Sequence, residues 1–166
     1  GMTDAKTADM QAGYEKGYTI ALAAQAGADM INLSVGMLGS IMVASKEVLV
    51  IDNDMCRAIL RSVRGVELFD GSIDLDMIEK VVTGEGHFLG TAQTLDLMTK
   101  EFVYPTLGNR QSVNDWLESG GLSVWDRAKA HVTEIERLPT PSHLSADIEA
   151  AIRARHTIHL PEIPRV

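Results

Sequence analysis

The run GEGHFLGTAQT, residues 84–94, sets one imidazole, His87, among glycines 84, 86 and 90. Glycine at these points frees the backbone to take a positive φ or to approach a ligand closely. A neutral imidazole in such a loop can donate or accept one hydrogen bond with a bound group. The same histidine can instead satisfy loop carbonyls and pack beside Phe88. Spacing alone leaves both roles open.

The other chemistry-bearing residues are more isolated. His156 and His159 have the separation of a metal-binding pair, but a zinc site needs three or four ligands, and the surrounding tail supplies no others. His131 and His143 stand alone. Asp52 and Cys56 lie four apart on one helical stretch, which reads as a surface carboxylate and a small buried thiol, with no cation placed to activate the sulfur. Glu15–Lys16 and Arg61–Arg64 read as solvated helix faces, and Trp116 and Trp125 as packing anchors. The dinucleotide, phosphate-loop, zinc-protease and serine-hydrolase signatures do not occur in the sequence.

Composition narrows the classes further. The 166 residues are 45% hydrophobic and 23% charged, as in ordinary globular chains. A net charge of -8 opposes nucleic-acid binding and anionic membrane surfaces. One cysteine rules out an internal disulfide and favours a reducing, cytoplasmic setting. The longest apolar runs, MINLSVGML and SIMVAS, fall short of the roughly 18 residues of a membrane span. The first residues lack the pattern of a secretory leader, and Gly1 before Met2 reads as a remnant of an expression tag.

The elements that must position these residues follow from periodicity and punctuation. A helix is expected over 7–26, opened by Asp4 or Thr7 and stopped by Gly27. The short apolar run 29–35 between glycines 27 and 36 reads as a strand. Residues 45–65 place Val48, Ile51, Met55, Ile59 and Val63 on one helical face, with Ser45 as cap and Gly65 as stop. A shorter helix over 73–84 opens at Ser72 or Asp74. A possible short strand lies at 87–89, and Thr94 caps a helix over 94–104. Serine-capped helices follow over 112–121 and 123–139, then a rigid linker over 139–144, a last helix over 145–158 and an extended tail. Residues 1–138 and 139–166 form the two expected parts. The fold class is α/β, helix-dominated with one or two strands.

An ordered series of segments resembles the trimethylamine methyltransferase (MttB-like) family of corrinoid-dependent methyltransferases. The series runs TDAKTADMQAGYEKGYTIALAAQAGADMI, GMLGSIMVASKEVLVIDNDM, GEGHFLGTAQTLDLMTKEFVYPTLGNR, WLESGG and RAKAHVTEI. The resemblance implies a (β/α)8 TIM barrel, of which this chain matches only the C-terminal third. It also implies transfer of a methyl group from trimethylamine, glycine betaine or a similar amine to a corrinoid (cobalamin) on a partner protein. In the trimethylamine enzymes the reactive residue is pyrrolysine, which would fall upstream of residue 1.

A barrel needs eight strands and about 200 or more residues, so this segment is expected to be incomplete for catalysis, binding no cofactor alone. Barrel chemistry sits at the C-terminal ends of strands. The resemblance therefore directs Ser34, Met37, His87, Phe88 and Gln93 towards substrate, with Asn32 and Gly36 beside them and Phe88, Phe102 and Tyr104 as candidate walls for a cation. Relatives often carry histidine where Gln93 stands, and a polar or histidine residue near Leu33–Ser34. Both departures point to altered specificity or lost activity. The alternative is a non-catalytic fragment that self-associates through its exposed barrel-facing surface as a homo-oligomer.

Overall fold

A computed structural model describes residues 1–68, 70–138 and 143–160. Its elements are α1 (Met10–Gln25), β1 (Met37–Leu38), β2 (Val43–Ala44), α2 (Lys46–Arg64), α3 (Leu75–Thr83), α4 (Ala92–Glu101), α5 (Val113–Glu118), α6 (Val124–Arg137) and α7 (Ala146–Arg155). Among the described residues the fold is helix-dominated with one small antiparallel sheet, in which Met37 pairs with Ala44 and Leu38 with Val43. It divides into two compact units, Gly1–Ala128 and Lys129–Val166.

In the first unit, α1 packs on α2. Ala12, Lys16 and Ile20, one turn apart, form the buried side of α1. Ala5, Ala12, Leu38 and Val48 make the core cluster, with Trp125 packed against it as an anchor. Ser45 opens α2 as expected, its hydroxyl accepting the Val48 N–H at 3.2 Å, and Gly65 closes it at φ 71°. Asp74, Ser112 and Ser145 likewise cap α3, α5 and α7. In the second unit, α7 ends at Arg155, short of the expected 158, and carries an Arg153–Glu149 pair at 3.0 Å along its face. Residues 139–142 of the expected linker (139–144) and residues 161–166 of the expected tail lie outside the described residues.

Several expectations are corrected. Residues 29–35 form no strand but a succession of turns. Leu33 takes φ 56°, and the Ser34 hydroxyl donates back to the Ile31 carbonyl at 2.8 Å. A short apolar run becomes a strand only when a neighbour satisfies its backbone, and no other strand pairs with it among the described residues. The observed strands lie just beyond it. Residues 87–89 are a turn as well, closed by the Thr91 N–H on the Phe88 carbonyl at 3.0 Å. Asp9, not Asp4 or Thr7, caps α1 by accepting the Gln11 and Ala12 N–H groups. Thr91, not Thr94, caps α4, which ends before Phe102.

Much apolar surface stays in water. Met10, Tyr14, Tyr18 and Leu22 are all exposed and, at steps of four, run down α1.

Candidate functional site

The α3–α4 connection builds a cleft of about 480 Å³, lined by Met77, Lys80 and Val81 of α3, by Glu85, His87 and Gly90 of the loop, and by Thr91 at the start of α4. Its size suits a small ligand. The turn forms because Gly86 takes φ 75° and its N–H bonds the Val81 carbonyl at 2.8 Å, leaving the loop to fold back over the end of α3. His87 is solvent-facing; its Nε2 stands 3.9 Å from the Glu85 carboxylate, beyond hydrogen-bond reach. Lys80 and Glu85 give the cleft charges of both signs. Sequence reading missed Lys80, although its place one turn before Gly84 on α3 was visible.

The sequence-selected residues do not converge on this cleft. Phe88 is half-exposed on the same loop. Gln93, on the first turn of α4, donates instead to the Gly71 carbonyl at 3.3 Å. Ser34 and Met37 belong to the segment beside the α1–α2 core. No hydrogen bond or ion pair among the described residues joins them to His87, Phe88 or Gln93. Phe102 and Tyr104 are exposed, and the Tyr104 hydroxyl donates to the Met98 carbonyl at 3.1 Å. His156 and His159 both lie past the end of α7, and no group of three or more potential ligands is gathered among the described residues.

Of the charged residues read as solvated, Arg64 is exposed, whereas Lys16 and Arg61 are drawn inward. Lys16 is buried at 1% exposure and pairs with Asp52, itself buried at 5%. Asp52 is therefore no surface carboxylate. Burial pushes its carboxyl above the usual range, against the bonds from Lys16 and Gly36 that pull it down. Cys56 is only half-buried, and burial pushes its thiol up, away from reactivity. Arg61 pairs with Glu101 and donates to its carbonyl at 2.7 Å, while Arg64 reaches the Lys100 carbonyl at 2.7 Å and the Glu101 carboxylate at 3.0 Å. These two arginines satisfy the C-terminal carbonyls of α4 and tie it to α2. The inward Lys16 was signalled by its place between Ala12 and Ile20, one turn from each.

A second anchor fixes the segment after α4. The Asp54 carboxylate accepts the N–H groups of Thr106, Leu107 and Gly108 at 2.8, 3.0 and 3.1 Å. Burial pushes its pKa up, but the three N–H bonds outweigh this and hold the carboxyl below its usual range. Arg57 adds a bond to the Thr106 hydroxyl at 3.1 Å, and the Arg127 Nε bonds the Leu107 carbonyl at 2.7 Å.

No helix among the described residues is long and apolar enough to cross a membrane. The sequence profile of the trimethylamine methyltransferase (MTTB) family matches residues 1–158. The chain is 32% identical over 154 residues to the glycine betaine methyltransferase of Desulfitobacterium hafniense (strain Y51), covering 93% of this chain and 32% of that protein. It is 34% identical over 146 residues to trimethylamine methyltransferase MttB of Methanosarcina thermophila, covering 88% of this chain and 30% of that one. A second Desulfitobacterium hafniense protein (strain DSM 10664 / DCB-2), trimethylamine methyltransferase MttB, is 30% identical over 154 residues, 93% of this chain and 30% of its own. The chain thus spans about a third of the length of these curated relatives. It belongs to the trimethylamine methyltransferase (MTTB) family.

Proposed function

We propose that this chain is the C-terminal part of a corrinoid-dependent methyltransferase, taking a methyl group from a tertiary or quaternary amine of the trimethylamine or glycine betaine type. The observation that carries this reading is the family match across nearly the whole chain, to relatives three times its length. It supplies the last elements of a TIM barrel and works only when the remaining strands enclose the site. The exposed apolar side chains along α1, Met10, Tyr14, Tyr18 and Leu22, support that need for a covering partner. The setting is the cytoplasm.

In the reaction the C–N bond breaks with its electron pair left on nitrogen, which leaves as the demethylated amine. The methyl acceptor is a corrinoid held on a separate protein, whose reduced cobalt supplies the electron pair for the new bond. This chain contributes separate parts of the amine site's lining, which the rest of the barrel brings together. His87 and Phe88 lie on the glycine-rich turn, Gln93 at the start of α4, and Ser34 and Met37 on the segment beyond α1. An exposed imidazole can hydrogen-bond a carboxylate such as that of glycine betaine, and the Phe88 ring can face a methylated cation.

The test is a fusion of this chain to the upstream two thirds of a relative's barrel, assayed for methyl transfer with each amine. Transfer that His87→Ala weakens supports the reading. A folded fusion without transfer counts against it.

The exposed stripe of Met10, Tyr14, Tyr18 and Leu22 favours a second reading, a non-catalytic chain that covers this surface with another copy of itself.

A further inference from the structure

The methyl-transfer reading makes no use of the Lys16–Asp52 pair, the most deeply buried charges among the described residues. An ion pair taken out of water is a poor way to join two helices, because apolar side chains of similar volume do so at least as well. What sets this pair apart is where its remaining bonds go. The Asp52 oxygen that meets Lys16 also accepts the Gly36 N–H at 2.8 Å. The Lys16 ammonium also donates to the Met37 carbonyl at 3.0 Å. The two charges therefore grip consecutive residues, one by its donor and one by its acceptor. The Gly36 carbonyl is held as well, by the Ser45 N–H at 2.9 Å.

The gripped segment has a conformation that needs holding. Gly36 takes φ 76°, and a Cβ there would stand 3.2 Å from the Leu49 Cβ. Leu33, Ser40 and Ile41 adopt φ 56°, 54° and 68°, values that side chains other than glycine rarely accept, least of all a β-branched one. Such residues persist where the surroundings over-determine the backbone, and they gather at functional segments.

We propose that Lys16 and Asp52 are positioning residues, an internal ion pair that fixes the Gly36–Met37 backbone and so sets Ser34 and Met37 as one edge of the amine site. This rests on the reading that Ser34 and Met37 border the substrate. The competing role is a simple staple between α1 and α2.

Lys16→Met combined with Asp52→Leu, made in the full chain, separates the two. Removing both charges leaves no unpaired ion but frees the Gly36 N–H and the Met37 carbonyl, so the variant should still fold cooperatively and melt somewhat below the wild type. Amide exchange at residues 33–37 should accelerate about thirtyfold, the equivalent of the two net hydrogen bonds lost at Gly36 and Met37, with α1 and α2 unchanged. Unaltered exchange at 33–37 would overturn the proposal. If that variant does not fold, Lys16→Gln with Asp52→Asn removes both charges while keeping neutral polar groups beside Gly36 and Met37, and should still loosen 33–37 selectively; acceleration spread evenly through both helices would identify a staple instead. In the barrel fusion, the double variant should raise KM for the amine about tenfold at similar kcat. Selective loosening in the chain together with a wild-type fusion that transfers no methyl would retain the ion pair's hold on the segment and refute the methyltransferase reading.

Discussion

Replacing Asp54 by alanine removes the single acceptor of three successive backbone N–H groups, those of Thr106, Leu107 and Gly108. A hydrogen bond to a charged group contributes about 1.5–3 kcal/mol when well shielded. The carboxylate is only half-buried, so solvent screening reduces each bond well below that. Together the three bonds contribute about 2 kcal/mol, a fall in Tm of about 6–8 °C for a chain of this size. The pH dependence follows from the direction of the Asp54 shift. Its folded pKa lies below the ordinary value of 3.8, so the stabilisation is complete above 3.8 and is lost as pH falls through the lower folded value. Thermal melts followed by circular dichroism, run on both proteins from pH 7 down to pH 3, should show a constant gap that closes below about pH 4. A gap at pH 7 under about 0.5 kcal/mol, or one that persists unchanged to pH 3, would refute the assignment.

Ser45→Ala should cost about 1 kcal/mol through the lost α2 cap, read from the same melts; no change would mean that packing alone sets the start of α2. His87→Ala, at an exposed position, should leave stability within about 0.5 kcal/mol of the wild type, and a larger loss would make the imidazole structural. Sedimentation velocity of the isolated chain at micromolar concentration should give an oligomer that Tyr18→Glu dissociates, whereas a stable wild-type monomer would count against an exposed apolar surface seeking cover.

What the sequence disclosed and what it concealed divide along the distance between interacting residues. The bounds of α2 were legible because Ser45 and Gly65 act on their own turns. The same holds for the caps of α3, α5 and α7. The run 29–35 has the composition of a strand, but strand formation depends on a neighbouring strand, and here turn chemistry at Leu33 and Ser34 prevails. Lys16 meets Asp52 across 36 positions and Asp54 meets Thr106 across 52, separations that no local pattern encodes. The glycine-rich turn holding His87 was visible from its spacing. That Gln93 turns to Gly71 was not, since it depends on how the segment after α2 returns to α4.

The proposed function makes this chain a contributor to a methyl-transfer site rather than the whole of one. Incubating the isolated 166-residue chain with glycine betaine or trimethylamine and cob(I)alamin, and following the demethylated amine by mass spectrometry, tests this most directly. The expected result is no product above a protein-free control. Sustained turnover by the chain alone would contradict it.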